Sequence, residues 1–159
     1  MWRTGHSLIK AKMKETDAAL AGEMSGHVFF KDRYFGFDDG LYASCRLFEV
    51  LANTGKTLPE LLEGVPATFT TPEIRVPCPD PVKFDVVERA RQLFLSRDLD
   101  VIDLDGARVV FEDGWGLVRA SNTQPVLVLR FEAKTPERLK EIRNLIEETI
   151  EKAKKQIVS

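Results

Sequence analysis

The chain has 159 residues, 43% hydrophobic and 30% charged, a balance that fits one or two compact folded units and excludes a disordered segment. Its 23 basic and 25 acidic side chains leave a formal charge of −2, so it offers no broad field for nucleic acid or an anionic membrane, and any anion must be held locally. No apolar run approaches the roughly 20 residues of a membrane span, and Met1 to His6 lacks the apolar stretch of a signal peptide, so a cytoplasmic protein is expected.

In chain order, Leu8, Ile9 and Met13 lie among lysines at helical spacing, which predicts an amphipathic helix over Ser7 to Glu15. Ala18 to Ala21 and Val28 to Phe30 are short apolar runs flanking the polar loop Gly22-Glu23-Met24-Ser25-Gly26-His27. Asp38 and Asp39 precede a helical pattern through Leu41, Cys45, Phe48, Leu51 and Ala52 that Gly55 stops. Leu58 to Leu62 predicts one more short helix, with Pro59 tolerated in its first turn. Pro66, Pro72, Pro77, Pro79 and Pro81 then mark a boundary, and residues 66–72 read as a hinge linker.

Ile74 and Val76 predict a strand, and Val86, Val87, Ala90, Leu93 and Phe94 predict a helix face. Strands follow at Leu99 to Leu104, Ala107 to Glu112 and Trp115 to Ala120. Asp105-Gly106 and Asp113-Gly114 separate them as candidate type I′ hairpin turns. Pro125 to Ala133 alternates cleanly, with Leu127, Leu129, Phe131 and Ala133 on the core side. Thr135 and Pro136 open a last helix whose stripe is Leu139, Ile142, Ile146, Ile150, Ala153 and Ile157.

The expected fold class is therefore α+β. Residues 73–159 form a C-terminal domain, an antiparallel sheet with two helices on one face. Residues 1–65 offer too few strands to cover their helices and read as an incomplete piece of an α/β domain, so exposed apolar faces and self-association into a homodimer are expected. Cys45 and Cys78 read as free thiols. The spacing of His6 and His27, the only histidines, matches no metal motif, so no metal site is expected.

Two loops carry chemistry. In Gly22 to His27 a carboxylate, a hydroxyl and an imidazole stand between glycines, and a carboxylate accepting from vicinal hydroxyls is a good grip on a sugar ring. In Arg119-Ala120-Ser121-Asn122-Thr123-Gln124-Pro125 the guanidinium fork matches phosphate oxygens, and the following residues add donors. An ordinary polar turn or hairpin loop would suit either composition equally.

Taken together, Trp2-Arg3-Thr4-Gly5-His6-Ser7, Gly22 to His27 followed by Val28-Phe29-Phe30, Gly36-Phe37-Asp38-Asp39-Gly40 and Arg119 to Thr123 resemble the α-D-phosphohexomutases in order and separation. The Met and His of the first loop resemble the phosphomannomutase/phosphoglucomutase branch. The likeness implies the end of the third domain plus the fourth, the latter a TBP-like fold. It implies sugar binding by Glu23, Ser25, His27, Gly5 and His6, and phosphate binding by Arg119, Ser121, Asn122 and Thr123, with His6 also a candidate proton shuttle. It further implies a mutase that interconverts hexose 1-phosphate and hexose 6-phosphate of mannose or glucose through a bisphosphate, with Mg2+ in the full-length parent.

The departures from that pattern are equally informative. The phosphoserine loop of the family, Thr-Ala-Ser-His-Asn-Pro-like, and its Asp-Gly-Asp-x-Asp-Arg magnesium loop do not occur here. Ser7, Ser25, Ser44, Ser96, Ser121 and Ser159 all stand in other contexts. The chain alone is expected to be inactive, to bind no metal and to need the missing N-terminal domains of the parent as partner. The alternative is a non-catalytic phosphosugar-binding module. A nucleic-acid binder is disfavoured by the charge and by Val126, Val128, Arg130 and Glu132 on the open side of the clearest strand.

Overall fold

The computed structural model describes residues 1–158 and divides into two compact units, Met1–Val65 and a second beginning at Pro66. In the first, α1 (His6–Thr16) buries Ile9 and Met13, one helical turn apart, against Phe29, with Ala18 and Ala21 beside them. Phe29 lies on β2 (Val28–Phe30), which pairs antiparallel with β1 (Leu20–Gly22), Leu20 opposite Phe30 and Gly22 opposite Val28. The polar loop between them is the turn of this hairpin.

Helix α2 (Gly40–Thr54) begins where the Asp39 carboxylate accepts the Tyr42 N–H at 2.9 Å. It ends at Gly55 in the left-handed conformation. The Tyr34 hydroxyl also donates to Asp39 at 2.5 Å, and these two donors, Tyr34 first, hold the Asp39 carboxyl below the usual carboxylate range. Helix α3 (Leu58–Leu61) starts with the Thr57 N–H donating to Glu60 at 2.7 Å. No residue of α2 is buried, and Leu41 and Phe48 are 79% and 67% exposed, as expected for an apolar face left uncovered within this unit.

The second unit has one antiparallel sheet. Its strands are β3 (Phe69–Thr70), β4 (Ile74–Pro77), β5 (Asp100–Ile102), β6 (Ala107–Phe111), β7 (Gly114–Ala120) and β8 (Val126–Ala133). The order is β3-β8-β7-β6-β5, and β4 takes the same edge of β8 as β3, further along it. Helices α4 (Lys83–Leu95) and α5 (Pro136–Val158) share one sheet face, and Thr135 caps α5 by accepting the Arg138 N–H at 3.1 Å.

The core combines Val86, Ala90 and Phe94 of α4 with Ile142, Ile146 and Ile150 of α5 against Leu127, Leu129 and Phe131 of β8, each at most 2% exposed. Burying one such side chain is worth roughly 1.5 to 3 kcal/mol, far above any surface ion pair, so this stripe fixes the layer.

Three local features differ from expectation. The linker stretch carries β3, and beyond it the Thr71 N–H donates to the Phe131 carbonyl at 3.0 Å, so residues 69–71 belong to the sheet of the second unit. Two-residue and bridging pairings of this kind leave no alternation to read. The β6–β7 hairpin turns on Glu112-Asp113, since Phe111 pairs with Gly114, and neither turn residue has positive φ, so it is not type I′. The β5–β6 connection is a longer loop, Ile102 pairing with Arg108, in which Gly106 alone takes positive φ.

Gly114 instead serves packing, as does Gly116. A Cβ on Gly116 would stand 2.2 Å from Ile146 Cδ1 and 2.8 Å from Phe131 Cδ1, so α5 is seated directly on the bare backbone. Gly116→Ala should cost about 1 to 3 kcal/mol in urea unfolding, as overpacked cores do. Adding Ile146→Val, which deletes the clashing Cδ1, should recover part of that loss. Unchanged stability in Gly116→Ala would show that α5 is not seated on the Gly116 backbone.

Asp39 gives a pH prediction. Because its folded pKa is lowered, its contribution is complete above the ordinary carboxylate value of about 4 and is lost as pH falls through the lowered folded value. Asp39→Asn keeps an acceptor at the cap but not the charge. The stability gap between the two chains, followed by unfolding at a series of pH values, should be full near neutrality and close in acid.

Candidate functional site

In the first unit the hairpin turn is closed by Glu23 N–H donating to the His27 carbonyl at 2.8 Å and Gly26 N–H to the Glu23 carbonyl at 2.9 Å. Gly26 stands at φ 93°, where a side chain would be strained. One Glu23 oxygen accepts the Gly5 N–H at 2.9 Å and the other accepts the Ser25 hydroxyl at 3.2 Å. The carboxylate thus ties the start of α1 to the hairpin, and each oxygen keeps accepting capacity for a ligand hydroxyl.

His6, the first residue of α1, stands edge-on to His27 with ring centroids 4.8 Å apart, and edge-on to the buried ring of Phe29 at 5.4 Å. Gly5, His6, Glu23, Ser25 and His27 therefore converge, as the five residues of the sugar-binding expectation. Sequence reading missed a sixth, Asp38. Its Oδ2 lies 2.7 Å from His27 Nδ1 and 3.7 Å from His6 Nε2, while its Oδ1 accepts the Val28 N–H at 3.2 Å. Asp38 and Phe29 also form a β-bridge, which fixes the carboxylate between the two imidazoles. The doubled aspartate was the available signal: a helix needs one capping carboxylate, and Asp39 is that one, which leaves Asp38 free for other work.

In the second unit, register decides where Arg119 points. Arg119 pairs with Val128, on the side of the sheet opposite Val118, Ala120, Leu127 and Leu129, all of which face the helices. It thus stands on the helix-free face. Arg108, stacked 4.1 Å over the Trp115 ring, and Arg130 share that face, which is more basic and aromatic than β8 alone suggests. The Arg119 guanidinium lies 3.7 Å from the Asp105 carboxylate.

Asp105 gets there through Gly106. At φ 84° this glycine runs so close to β7 that a Cβ would meet the Val118 carbonyl at 2.3 Å and Arg119 Cβ at 2.7 Å. The following loop is drawn in by Ser121, whose hydroxyl oxygen accepts the Thr123 and Gln124 N–H groups at 3.3 and 3.2 Å. Ser121 is buried and shapes the turn, while Asn122 and Thr123 are exposed.

Two further residues absent from the sequence expectation hold the loop's far end. Lys83, only 4% exposed, donates to Asp80 at 2.7 Å and to the Gln124 carbonyl at 3.1 Å. Arg75 donates to the Gln124 side chain at 3.0 Å. Behind the loop, on the α4 side, a cavity of about 290 Å³ is lined among others by Glu88, Asp103 and Asp105 and by Arg91, which already pairs with Glu88 and Asp103, so its net negative lining makes it a poor seat for phosphate.

Among the described residues no helix is long and apolar enough to cross a membrane. Residues 1–69 match the family described as phosphoglucomutase/phosphomannomutase, alpha/beta/alpha domain III, and residues 73–149 match the C-terminal domain of the same family. A phosphomannomutase/phosphoglucomutase of Pseudomonas aeruginosa is 52% identical over 145 residues, covering 91% of this chain and 31% of that protein. A phosphoglucomutase of Neisseria gonorrhoeae is 48% identical over 153 residues, 95% of this chain and 33% of its own length. The crystal structure of a phosphoglucomutase/phosphomannomutase family protein from Burkholderia thailandensis superposes with a TM-score of 0.81 at 46% identity, covering 97% of this chain and 32% of that one. The chain thus spans about a third of the length of these relatives. With its Gly22–His27 hairpin turn inside the stretch matched to domain III and its Arg119 loop inside the stretch matched to the C-terminal domain, the chain belongs to the phosphoglucomutase/phosphomannomutase family.

Proposed function

We propose that this chain is the substrate-gripping part of a phosphohexomutase that interconverts hexose 1-phosphate and hexose 6-phosphate of mannose or glucose through a bisphosphate. The observation that carries the reading is the convergence of Gly5, His6, Glu23, Ser25 and His27 around one hairpin, in a chain whose other unit presents Arg119 beside an exposed Asn122 and Thr123.

In this reading Glu23 accepts hydrogen bonds from sugar hydroxyls, and Ser25, His27 and His6 supply further polar contacts. Arg119 holds the phosphate that is not being transferred, with Asn122 and Thr123 adding donors and Ser121 keeping the loop in shape. Phosphoryl transfer depends mainly on positioning and charge stabilisation, so such a clamp contributes to rate without touching the moving phosphoryl group. His6 is the candidate proton carrier of the cluster, its ring edge-on to His27.

Phosphoserine and Mg2+ chemistry belong to the rest of the parent in this reading. Among the described residues the group of three side chains close enough to hold a metal is His6, His27 and Asp38, and two nitrogen donors do not suit Mg2+, which takes oxygen ligands in an octahedron. No step of the reaction is assigned to a metal on this chain. The setting is cytoplasmic, in keeping with the exposed free thiol of Cys45.

The test joins the chain to the N-terminal portion of the Pseudomonas aeruginosa relative and measures conversion of mannose and glucose phosphates. Conversion is expected, and Arg119→Ala should lower kcat/KM roughly tenfold to a hundredfold, the value of a charge-assisted contact. A folded, joined protein that binds hexose phosphate and never turns it over would favour the non-catalytic binding module instead.

The apolar face of α2 suits burial by the remainder of a longer chain or by a second copy. The 159-residue chain by itself should therefore self-associate in light scattering, and Phe48→Glu should shift it toward the monomer.

A further inference from the structure

The pairing of two imidazoles with one carboxylate has a chemistry of its own. The ligand atoms of His6, His27 and Asp38 all lie within 4.8 Å of one another, on the partly exposed surface of the first unit. We propose that these three residues form a binding site for a transition-metal dication of the zinc class, with solvent or a ligand oxygen completing the coordination.

Three observations converge on it. The donor set is two nitrogens and one carboxylate oxygen, which suits Zn2+, Co2+ or Ni2+ and discriminates against Mg2+ and Ca2+. The carboxylate is held in advance, because Asp38 Oδ1 accepts the Val28 N–H at 3.2 Å while Oδ2 faces both rings. The imidazoles are carried by separate segments, His6 by the first turn of α1 and His27 by the hairpin turn immediately before β2, with the fully buried Phe29 ring as the wall behind His6.

Metal–ligand bonds of about 2.0 to 2.2 Å in a tetrahedron set donors roughly 3.4 Å apart. The His27–Asp38 separation of 2.7 Å must open slightly and the His6–Asp38 separation of 3.7 Å must close slightly. The two imidazole nitrogens, within 4.8 Å of each other, must approach as well, and side-chain rotation can supply these adjustments because His6 and His27 are about half exposed. Three protein ligands leave a position open, the arrangement of accessible rather than structural metal sites.

The site overlaps the sugar grip proposed above, so a bound metal would block it. The metal is read on the chain itself, however, and its presence does not depend on whether the parent is a mutase.

The experiment uses the full 159-residue chain with Cys45→Ser, which removes the exposed thiol as a competing ligand. Zn2+ is titrated calorimetrically and Co2+ by its visible d–d absorption, with Mg2+ as control, while far-UV circular dichroism confirms that each variant keeps its helices. One Zn2+ per chain is expected, together with shifts of the His6 and His27 ring signals in NMR and no response to Mg2+. His6→Gln and His27→Gln should each weaken binding at least tenfold. Zinc affinity unchanged in the doubly substituted His6→Gln, His27→Gln chain, or ring signals unmoved at millimolar Zn2+, would overturn the site and leave the cluster as a hydrogen-bonded dyad alone.

Discussion

The direction in which Arg119 points depends on the register between β7 and β8, and that register is fixed by a single packed level of the core. Gly116 stands opposite Phe131 on the neighbouring strand, with Ile146 of α5 directly above. Only a residue without a Cβ fits there. A slip of one residue would bring Trp115 or Leu117 under the helix and turn Arg119 into the core, where an uncompensated charge costs several kcal/mol. The apolar stripe of α5 therefore decides the chemistry of the opposite face, although none of its residues reaches that face.

The first unit is organised differently, because its apolar core is small. Ile9, Met13 and Phe29 are its buried hydrophobic residues, and polar links supply the remaining definition. Glu23 joins the hairpin to the start of α1, Asp38 joins β2 to the segment before α2, and Asp39 starts α2 itself. Each such bond nets about 1 kcal/mol, less than a buried isoleucine, yet together they determine the mutual placement of the five convergent residues. Carboxylates here act as both scaffold and site.

Much of this was legible in the sequence. The helices announce themselves by 3.6-residue spacing and by caps such as Asp39 and Thr135, and β8 by its strict alternation, because these patterns are local consequences of burial. The hairpin and arginine loops could be singled out because Glu23 to His27 and Arg119 to Thr123 gather donors and acceptors within a few residues. What escaped depends on partners distant in the chain. Asp38 meets His27 only when β2 and the segment before α2 are bridged, and Lys83 reaches Gln124 across 41 residues. Strand β3, two residues long among prolines, has no pattern of its own and exists because β8 offers it an edge. The Asp-Gly dipeptides were informative about chain reversal but not about turn type, since Gly114 is needed for contact with α5 rather than for its φ.

Both loops share one device. In each, a cationic or proton-bearing donor rests against a carboxylate: Arg119 near Asp105, His27 against Asp38. The two carboxylates do not grip equally. At 3.7 Å and partly exposed, the Asp105 contact is a surface pair worth at most about 1 kcal/mol, whereas a bidentate, charge-assisted hydrogen bond to a phosphate dianion is worth about 1.5 to 3 kcal/mol. The Asp105 contact is therefore weak enough to yield to a stronger anionic acceptor, which in the proposed function is the phosphate. Asp38 holds His27 at 2.7 Å and is itself anchored by the Val28 N–H, so a neutral hydroxyl cannot displace it. In the proposed sugar grip Asp38 therefore fixes the His27 ring and leaves its other nitrogen to meet the sugar, whereas a metal would enter between the ring and the carboxylate.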